Sequence, residues 1–382
     1  MRARVELPFA RSARSSLGVE WELALVDSDS GDLRQVAQTV LDAVRPDHGG
    51  DHPSIRQELL LNTVEVVSGV STAVGQAAAD LERAIAEVRT VTDRLRVELM
   101  GGGTHPFAHW AQQKVTDKQR YATLIDRTQW WGRQMVIYGL HVHVGIEDRA
   151  KVLPIARAML TYFAHLQSLS AASPFWGGSD TGYASNRALM FQQLPTAGLP
   201  FPFERWEELE GYVGDMLHTG VIDQFDEVRW DVRPSPRFGT LETRICDSPS
   251  NLLEVSALSA LTHCLVEHFS TLLDEGRELP AIPTWFAQEN KWRSARYGMD
   301  AIIIVNAAGD EELVTDAVRR LLVELAPVAE RLGCAAELDA VNVILRRGAS
   351  YQRQRAAARQ HGGQLDAVVT SLVAEMRAGR PL

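Results

Sequence analysis

The sequence predicts an α+β fold, in which helices pack on the outer face of an antiparallel sheet and the other face is left free to form a polar cavity. Three observations carry this expectation. Strand-like and helix-like segments are interleaved without the one-to-one alternation of a parallel sheet. Neither GxGxxG nor a Walker A sequence occurs, which disfavours a doubly wound Rossmann or P-loop domain. Three separate strands each project two polar or charged side chains from one face. The 382 residues, 45% hydrophobic and 23% charged, suffice for a substantial core. With no convincing linker, residues 1–382 read as a single domain.

The first element, SLGVEWELALVD, is a strand. Alternate residues share a face, so Gly18, Glu20 and Glu22 point one way while Val19, Trp21, Leu23 and Leu25 divide between the core and the flanks. Two adjacent carboxylates raise one another's pKa and cost stability unless a cation lies between them. A hard divalent metal is the economical explanation, and a solvated edge strand is the other. A loop rich in Asp, Gly and Pro follows from Arg45 to Pro53, then the apolar stretch IRQELLLNTVEVVSG. Its Glu58 and Glu65 are an odd number of residues apart, so both reach one site only if a turn or bulge falls between them, with Asn62 the natural place.

Ser71 is expected to cap a long helix through about Leu99, ended by Gly101 to Gly103, and Lys114 to Trp131 reads as a second helix. Gly139 to Ile146 is a strand with His141 and His143 on one face and Val142 and Val144 on the other; imidazoles two apart suit a metal or a phosphate oxygen. A third helix runs from Asp148, its cap, to Ser170. The Gly-, Ser- and Pro-rich SPFWGGSDTGYASNR is a loop, and Ser173 to Arg187, with Trp176 and Tyr183, is a candidate lid. In GTLETRIC, Glu242 and Arg244 share a strand face, either as an ion pair or as a metal ligand beside an oxyanion clamp. Asn251 to Leu273, Glu311 to Leu332 and Arg353 to Met376 read as helices.

The net charge of -10 argues against a nucleic-acid surface, and no apolar run approaches a membrane span of roughly 20 residues. The N-terminus has no apolar core of a signal peptide, so a cytoplasmic location is expected. Three cysteines, Cys246, Cys264 and Cys334, are far apart in sequence and fit neither a disulfide framework nor a zinc cluster. Carboxylates with one or two imidazoles describe a magnesium or manganese site holding nucleotide phosphates better than they describe zinc. Arg187, Arg233, Arg237, Arg293 and Arg296 lie in nearby loops, and guanidinium forks suit phosphate and carboxylate.

Taken together and in order, SLGVEWEL, GGGTHPF, GLHVHVG, SPFWGGSDTGYASNR, RPSPRFGTLETRICD and ENKWRSARYGMDA resemble the carboxylate-amine ligase branch of the glutamate-cysteine ligase type 2 family over nearly the whole chain. The resemblance implies a glutamine synthetase/guanidino kinase-like fold, whose curved antiparallel sheet makes a cup lined by metal-binding carboxylates. It implies ATP-dependent joining of a small-molecule carboxylate to an amine through an acyl phosphate, with glutamate and cysteine the substrates of the family name. By the same resemblance, Glu20, Glu22, Glu58, Glu65, His141 and Glu242 hold two or three magnesium ions, or manganese, and His143 lies close to the nucleotide phosphates. Arg244 resembles the arginine facing the transferred phosphoryl group and the substrate carboxylate. Arg187 and Arg233 are placed beside it as catalytic residues, and Arg293 and Arg296 with the nucleotide. A homo-oligomer fits this kind of enzyme. A ligase for a different acid or amine, a guanidino kinase and a non-catalytic nucleotide- or metal-binding protein remain as alternatives on the same fold.

Overall fold

Period-two patterning in the chain resolves into one seven-stranded sheet in which every pairing is antiparallel. The computed structural model describes residues 5–46 and 49–382; residues 1–4 and two residues of the Arg45–Pro53 loop, 47 and 48, lie outside it. The strands are β1 (Leu17–Asp27), β2 (Ile55–Gln57), β3 (Thr63–Val67), β4 (Val97–Met100), β5 (Gly139–Gly145), β6 (Val232–Ser235) and β7 (Thr240–Asp247). Their order is β2-β3-β1-β5-β7-β6, with β4 paired to the C-terminal half of β1.

One face of this sheet is apolar. Trp21, Leu23, Val64, Val66, Leu140, Val142 and Leu241 are buried there against the helices Val74–Thr92, Arg149–Ser170 and Leu252–Asp274. Trp21 is wholly buried, and its Nε1 donates to Ser248 Oγ at 2.9 Å, so its one polar atom is satisfied within the core. Two of the helices begin where side-chain caps begin them: Asp148 accepts from Ala150 N at 2.9 Å, and Asn251 accepts from Glu254 N at 3.0 Å. The α+β class and helices on the outer face agree with expectation.

Several boundaries differ. Ser71 does not cap a helix; it exchanges backbone hydrogen bonds with Leu17, and the helix runs from Val74 to Thr92. At Arg96 the backbone turns left-handed (φ 54°), and Val97–Met100 extends to pair with β1 instead of prolonging the helix to Leu99. The second helix is Gln119–Arg133. Glu311–Leu313 forms a hairpin strand with Ile302–Ile304 before the helix Val314–Arg331 begins. The stretch from Arg353 to Met376 is two helices, Ser350–Gln360 and Asp366–Ala378, parted at Gly362 and Gly363, whose positive φ of 63° and 88° glycine adopts without a Cβ clash. The three cysteines are free and buried, but Cys264 and Cys334 meet, Sγ to Sγ, at 3.7 Å. Among the described residues no helix is long and apolar enough to cross a membrane.

Candidate active site

The free face of the sheet carries an ordered array of charge because register places alternate residues opposite one another. Glu22 faces Glu65, Glu20 faces His141, His143 faces Glu242, and Glu242 faces Arg233. The odd spacing of Glu58 and Glu65 is absorbed by the turn around Asn62. That residue is fully buried; its Nδ2 donates to Gln113 and its Oδ1 accepts from Thr63 and Tyr138. Glu58 therefore leaves the end of β2 on the same side as Glu65, and the charges of Glu20, Glu22 and Glu58 all act on the Glu65 carboxyl.

A bulge sets Arg244. Between Leu140 and Val142 the β5–β7 register slips, so an extra β7 residue stands against His141. The Arg244 N–H turns away from β5 and donates to the Asp231 carbonyl at 2.7 Å. Its guanidinium bonds Glu242, whose other oxygen accepts from Arg233 Nε at 2.6 Å. Arg187 enters from the helix Asn186–Phe191, buried, with its Nη1 donating to the Arg244 carbonyl at 3.3 Å. It lies across the backbone of Gly139, where a Cβ would stand 2.2 Å from its Nη2. Gly139 N in turn donates to Glu22 Oε2 at 2.5 Å. Buried Asp247 steadies Arg187 by accepting from Ser173 Oγ at 2.6 Å and Ser185 Oγ at 2.8 Å, at either end of the segment that delivers it.

The electrostatics split the carboxylates in two. Burial works to raise Glu20, but hydrogen bonds to His141 and His143 outweigh it and hold this carboxyl well below its usual range. Glu242 is likewise lowered against burial by the charges of Arg233 and Arg244. Burial pushes Glu22 up to about 7, with the Glu58 charge adding to it. Burial also raises Glu58, and it raises Glu65 well above its ordinary value with help from Glu20, Glu58 and Glu22. In the second group burial outweighs the arginine charges that act on it, those of Arg187 and Arg244 on Glu22, Arg120 and Arg244 on Glu58, and Arg56 on Glu65. Burial and the Arg244 charge lower His141 to about 4, so it is neutral near pH 7.

The donor set fits divalent cations. Glu20, His141 and Glu242 form one cluster whose ligand atoms all lie within 4.8 Å of one another, and Glu22, Glu65 and His141 form a second. His141 Nδ1 is 3.4 Å from Glu20 Oε2, while its buried Nε2 has no hydrogen-bond partner. A carboxylate orienting one ring nitrogen and freeing the other is the usual arrangement of a metal-ligating histidine.

In front of this face lies a cavity of about 560 Å³, reached by Glu22, Glu58, His141, Arg187 and Arg244. The structure thus brings together Glu20, Glu22, Glu58, Glu65, His141, His143, Glu242, Arg187, Arg233 and Arg244. It does not bring Arg293 or Arg296 to the cavity. Arg293 is held by Glu289 at 2.8 Å and Glu311 at 2.5 Å, and Arg296 bonds the Gly182 carbonyl between the Tyr183 and Tyr297 rings. Of the expected lid, Ser173 to Arg187, only Arg187 reaches the cavity; Asp180 is tied down by Arg355 at 2.6 Å. The opposite wall is instead the Gln119–Arg133 helix and residues 221–229, including Arg127 and Arg229, which sequence reasoning passed over. Arg120, Leu124 and Arg127 recur at i, i+4, i+7, a helical-face signal that was available.

Comparison with known proteins agrees with this fold. The model of glutamate-cysteine ligase family 2 matches residues 16–371. A protein of Arthrobacter sp. (strain FB24), provisionally named glutamate–cysteine ligase 2-1, is 58% identical over 380 residues, covering 98% of this chain and 99% of its own. One of Mycobacterium tuberculosis (strain ATCC 25618 / H37Rv), provisionally named glutamate–cysteine ligase 2, is 56% identical over 375 residues, 98% of both. Among solved structures, glutamate–cysteine ligase from Francisella tularensis, in complex with AMP, superposes with a TM-score of 0.69 at 14% identity, over 97% of this chain and 90% of that one. A bifunctional glutathione synthetase from Pasteurella multocida gives 0.63 at 16% identity, over 96% of this chain and 52% of that one. These two share the fold. With a family model spanning nearly its whole length and relatives more than half identical from end to end, this chain belongs to glutamate-cysteine ligase family 2.

Proposed function

We propose that this chain is an ATP-dependent carboxylate–amine ligase of glutamate–cysteine ligase type, acting as one catalytic unit in the cytoplasm on small-molecule substrates, with a homo-oligomer as its working form. One observation carries the reading. His141 Nε2 and the Nε atoms of Arg187 and Arg244 are buried beside one cavity without hydrogen-bond partners. Buried polar atoms are costly to leave unpaired, so three of them around one space describe a site completed by ligands.

Glu22, Glu65 and the free Nε2 of His141 would hold one magnesium ion, and Glu20 and Glu242 a second, with Glu58 close by and manganese a workable substitute. Magnesium, when bound, supplies positive charge to the phosphate oxygens of ATP. The chain's own residues do the positioning. His143, with Nδ1 3.0 Å from Thr240 Oγ1, presents its other nitrogen toward Glu20 and Glu242, where phosphates would lie. Arg187 and Arg244 hold the acid substrate so that a carboxylate oxygen attacks the terminal phosphorus in line, releasing ADP and leaving an acyl phosphate. The amine then attacks the acyl carbon. Arg244, fixed by Glu242 and the bulge, offers its free Nε to the oxyanion before phosphate departs and the amide is formed.

The test is ADP release from magnesium-ATP by the full chain with L-glutamate and a panel of amines that includes L-cysteine, with products weighed by mass spectrometry. The expected result is ADP together with a γ-glutamyl amide, abolished by a chelator. No ADP with any pair, or a phosphorylated guanidine in place of an amide, overturns the proposal.

A further inference from the structure

The cavity wall opposite the sheet is a helix broken before its end. The helix Gln119–Arg133 lines the cavity with Arg120, Tyr121, Leu124 and Arg127, but at Gln129 the backbone leaves helical geometry for φ 46° and ψ -117°. A type II′ turn reserves that conformation for glycine, and holding another residue in it disfavours the state about 5- to 150-fold. Gln129 gains no burial in return, since its side chain is exposed and donates to the Asp126 carbonyl one turn back. Gly132 makes room for the break, because a Cβ there would stand 1.9 Å from Thr128 Oγ1. The chain is held very differently on the two sides of Gln129. Beyond it, Gly132, Gln134, Met135, Val136 and Tyr138 are buried on the way into β5. Before it, Tyr121 and Ile125 are the only buried residues of 119–128. This arm is tethered by exposed Arg127, which bonds the Gly220 carbonyl and lies 3.5 Å from Glu227, and by the Tyr121 hydroxyl, which donates to the Gln57 carbonyl at 3.4 Å. A lightly buried arm joined to a packed core through one strained residue has the build of a hinge.

We infer that residues 119–128 form a lid hinged at Gln129, which closes over the cavity as Gln129 passes to helical φ and ψ and the helix straightens. The inference rests on the ligase reading and adds to it the movement that shields the acyl phosphate from water. Closure releases the strain at Gln129 and gives up the tether of Arg127 to the Gly220 carbonyl, so the two states are close in free energy while the cavity is empty. Ligands that touch the cavity face of the arm in one state and not in the other then decide between them. The strain lies in the backbone, so its effect follows the φ preference of residue 129 and not the chemistry of its side chain.

The test follows amide hydrogen exchange of the full chain by mass spectrometry, alone and with magnesium, a non-hydrolysable ATP analogue and L-glutamate. The ligands should slow exchange across 119–128 at least ~10-fold and leave the buried helix Leu252–Asp274 unchanged. Glycine relieves the strain of the open state and weakens the straight helix, so Gln129→Gly should lose most of that protection. With an amine present it should release more ADP than amide, because water returns the exposed acyl phosphate to free acid and phosphate. Alanine keeps the strain and favours the helix, so Gln129→Ala should close as wild type does. Urea unfolding of the unliganded chain reads the strain by itself: the midpoint of Gln129→Gly should lie above that of Gln129→Ala, the reverse of an ordinary helix interior. The ordinary order overturns the hinge, and exchange at 119–128 that ignores the ligands overturns the lid. Protection by the ligands in a protein that releases no ADP with any amine upholds the lid and removes the ligase reading.

Discussion

Replacing Lys291 with methionine is expected to destabilise the protein by about 3–5 kcal/mol, the cost of leaving a buried charge without its partner. Lys291 sits in the helix Thr284–Tyr297 with 1% of its side chain exposed, and its ammonium is ion-paired with Asp231, which is 4% exposed. Among the described residues neither group has a second ion-pair partner. Methionine keeps the stem and its packing, so the loss reports the charge. Asp231→Asn strands the ammonium instead and is expected to cost a similar amount. The double variant leaves two neutral groups and should fall within about 2 kcal/mol of wild type, because replacing both members of a buried pair is often nearly neutral. With a total stability on the order of 5–15 kcal/mol, either single variant is pushed toward the threshold of folding. Urea unfolding reads the difference as a shift in midpoint at unchanged slope. Two single variants each costing below about 1 kcal/mol, or a double variant that merely adds them, would refute the reasoning. The pair bears on function through the main chain, because the Asp231 carbonyl holds the Arg244 N–H in the bulge at 2.7 Å.

Three further outcomes are expected. Glu242→Gln removes one anionic donor at nearly constant volume and leaves Arg233 and Arg244 without a counter-charge; turnover should fall at least ~100-fold while the circular dichroism spectrum is unchanged, and normal turnover would sink the metal assignment. Gly139→Ala sets a Cβ 2.2 Å from Arg187 Nη2, so the guanidinium must move; a displacement near 1 Å predicts a loss of roughly 100-fold in kcat/KM with the fold retained, and full activity would show that Arg187 need not lie there. Acid should weaken the fold through His105, whose Nε2 lies 2.8 Å from the Gly31 carbonyl and which burial lowers to about 4. Its folded value lies below the unfolded 6.5, so the unfolded chain takes up a proton first, and stability present above pH 6.5 drains away as pH falls toward 4. Relative to wild type, His105→Gln should therefore gain about 2 kcal/mol between pH 7 and pH 5; a pH-independent difference would contradict the burial of a neutral ring.

The polar half of the site is legible in the sequence because a strand has a strict period of two. Glu20 with Glu22, His141 with His143, and Glu242 with Arg244 each declare a common face without any knowledge of partners. The odd spacing of Glu58 and Glu65 calls for a turn, and Asn62 supplies it. What stays hidden is what arises between segments. The bulge that sets an extra β7 residue against His141 depends on a register slip between β5 and β7, and neither strand announces it alone. β4 is masked because VELM continues a helical spacing that ends only when Arg96 turns left-handed. The arginines make the sharpest case, since motif position locates a residue while its partners decide what it can do. Arg293 occupies a matching position, yet Glu289 one helical turn before it and Glu311 on the adjoining hairpin claim its charge. Arg187 and Arg244, by contrast, each keep a buried Nε uncommitted beside the cavity. A buried N–H that the protein leaves unpaired is a donor available to a ligand. By that criterion we propose Arg187 and Arg244 as the binding arginines of the cavity, and the family likeness alone could not have separated them from Arg293.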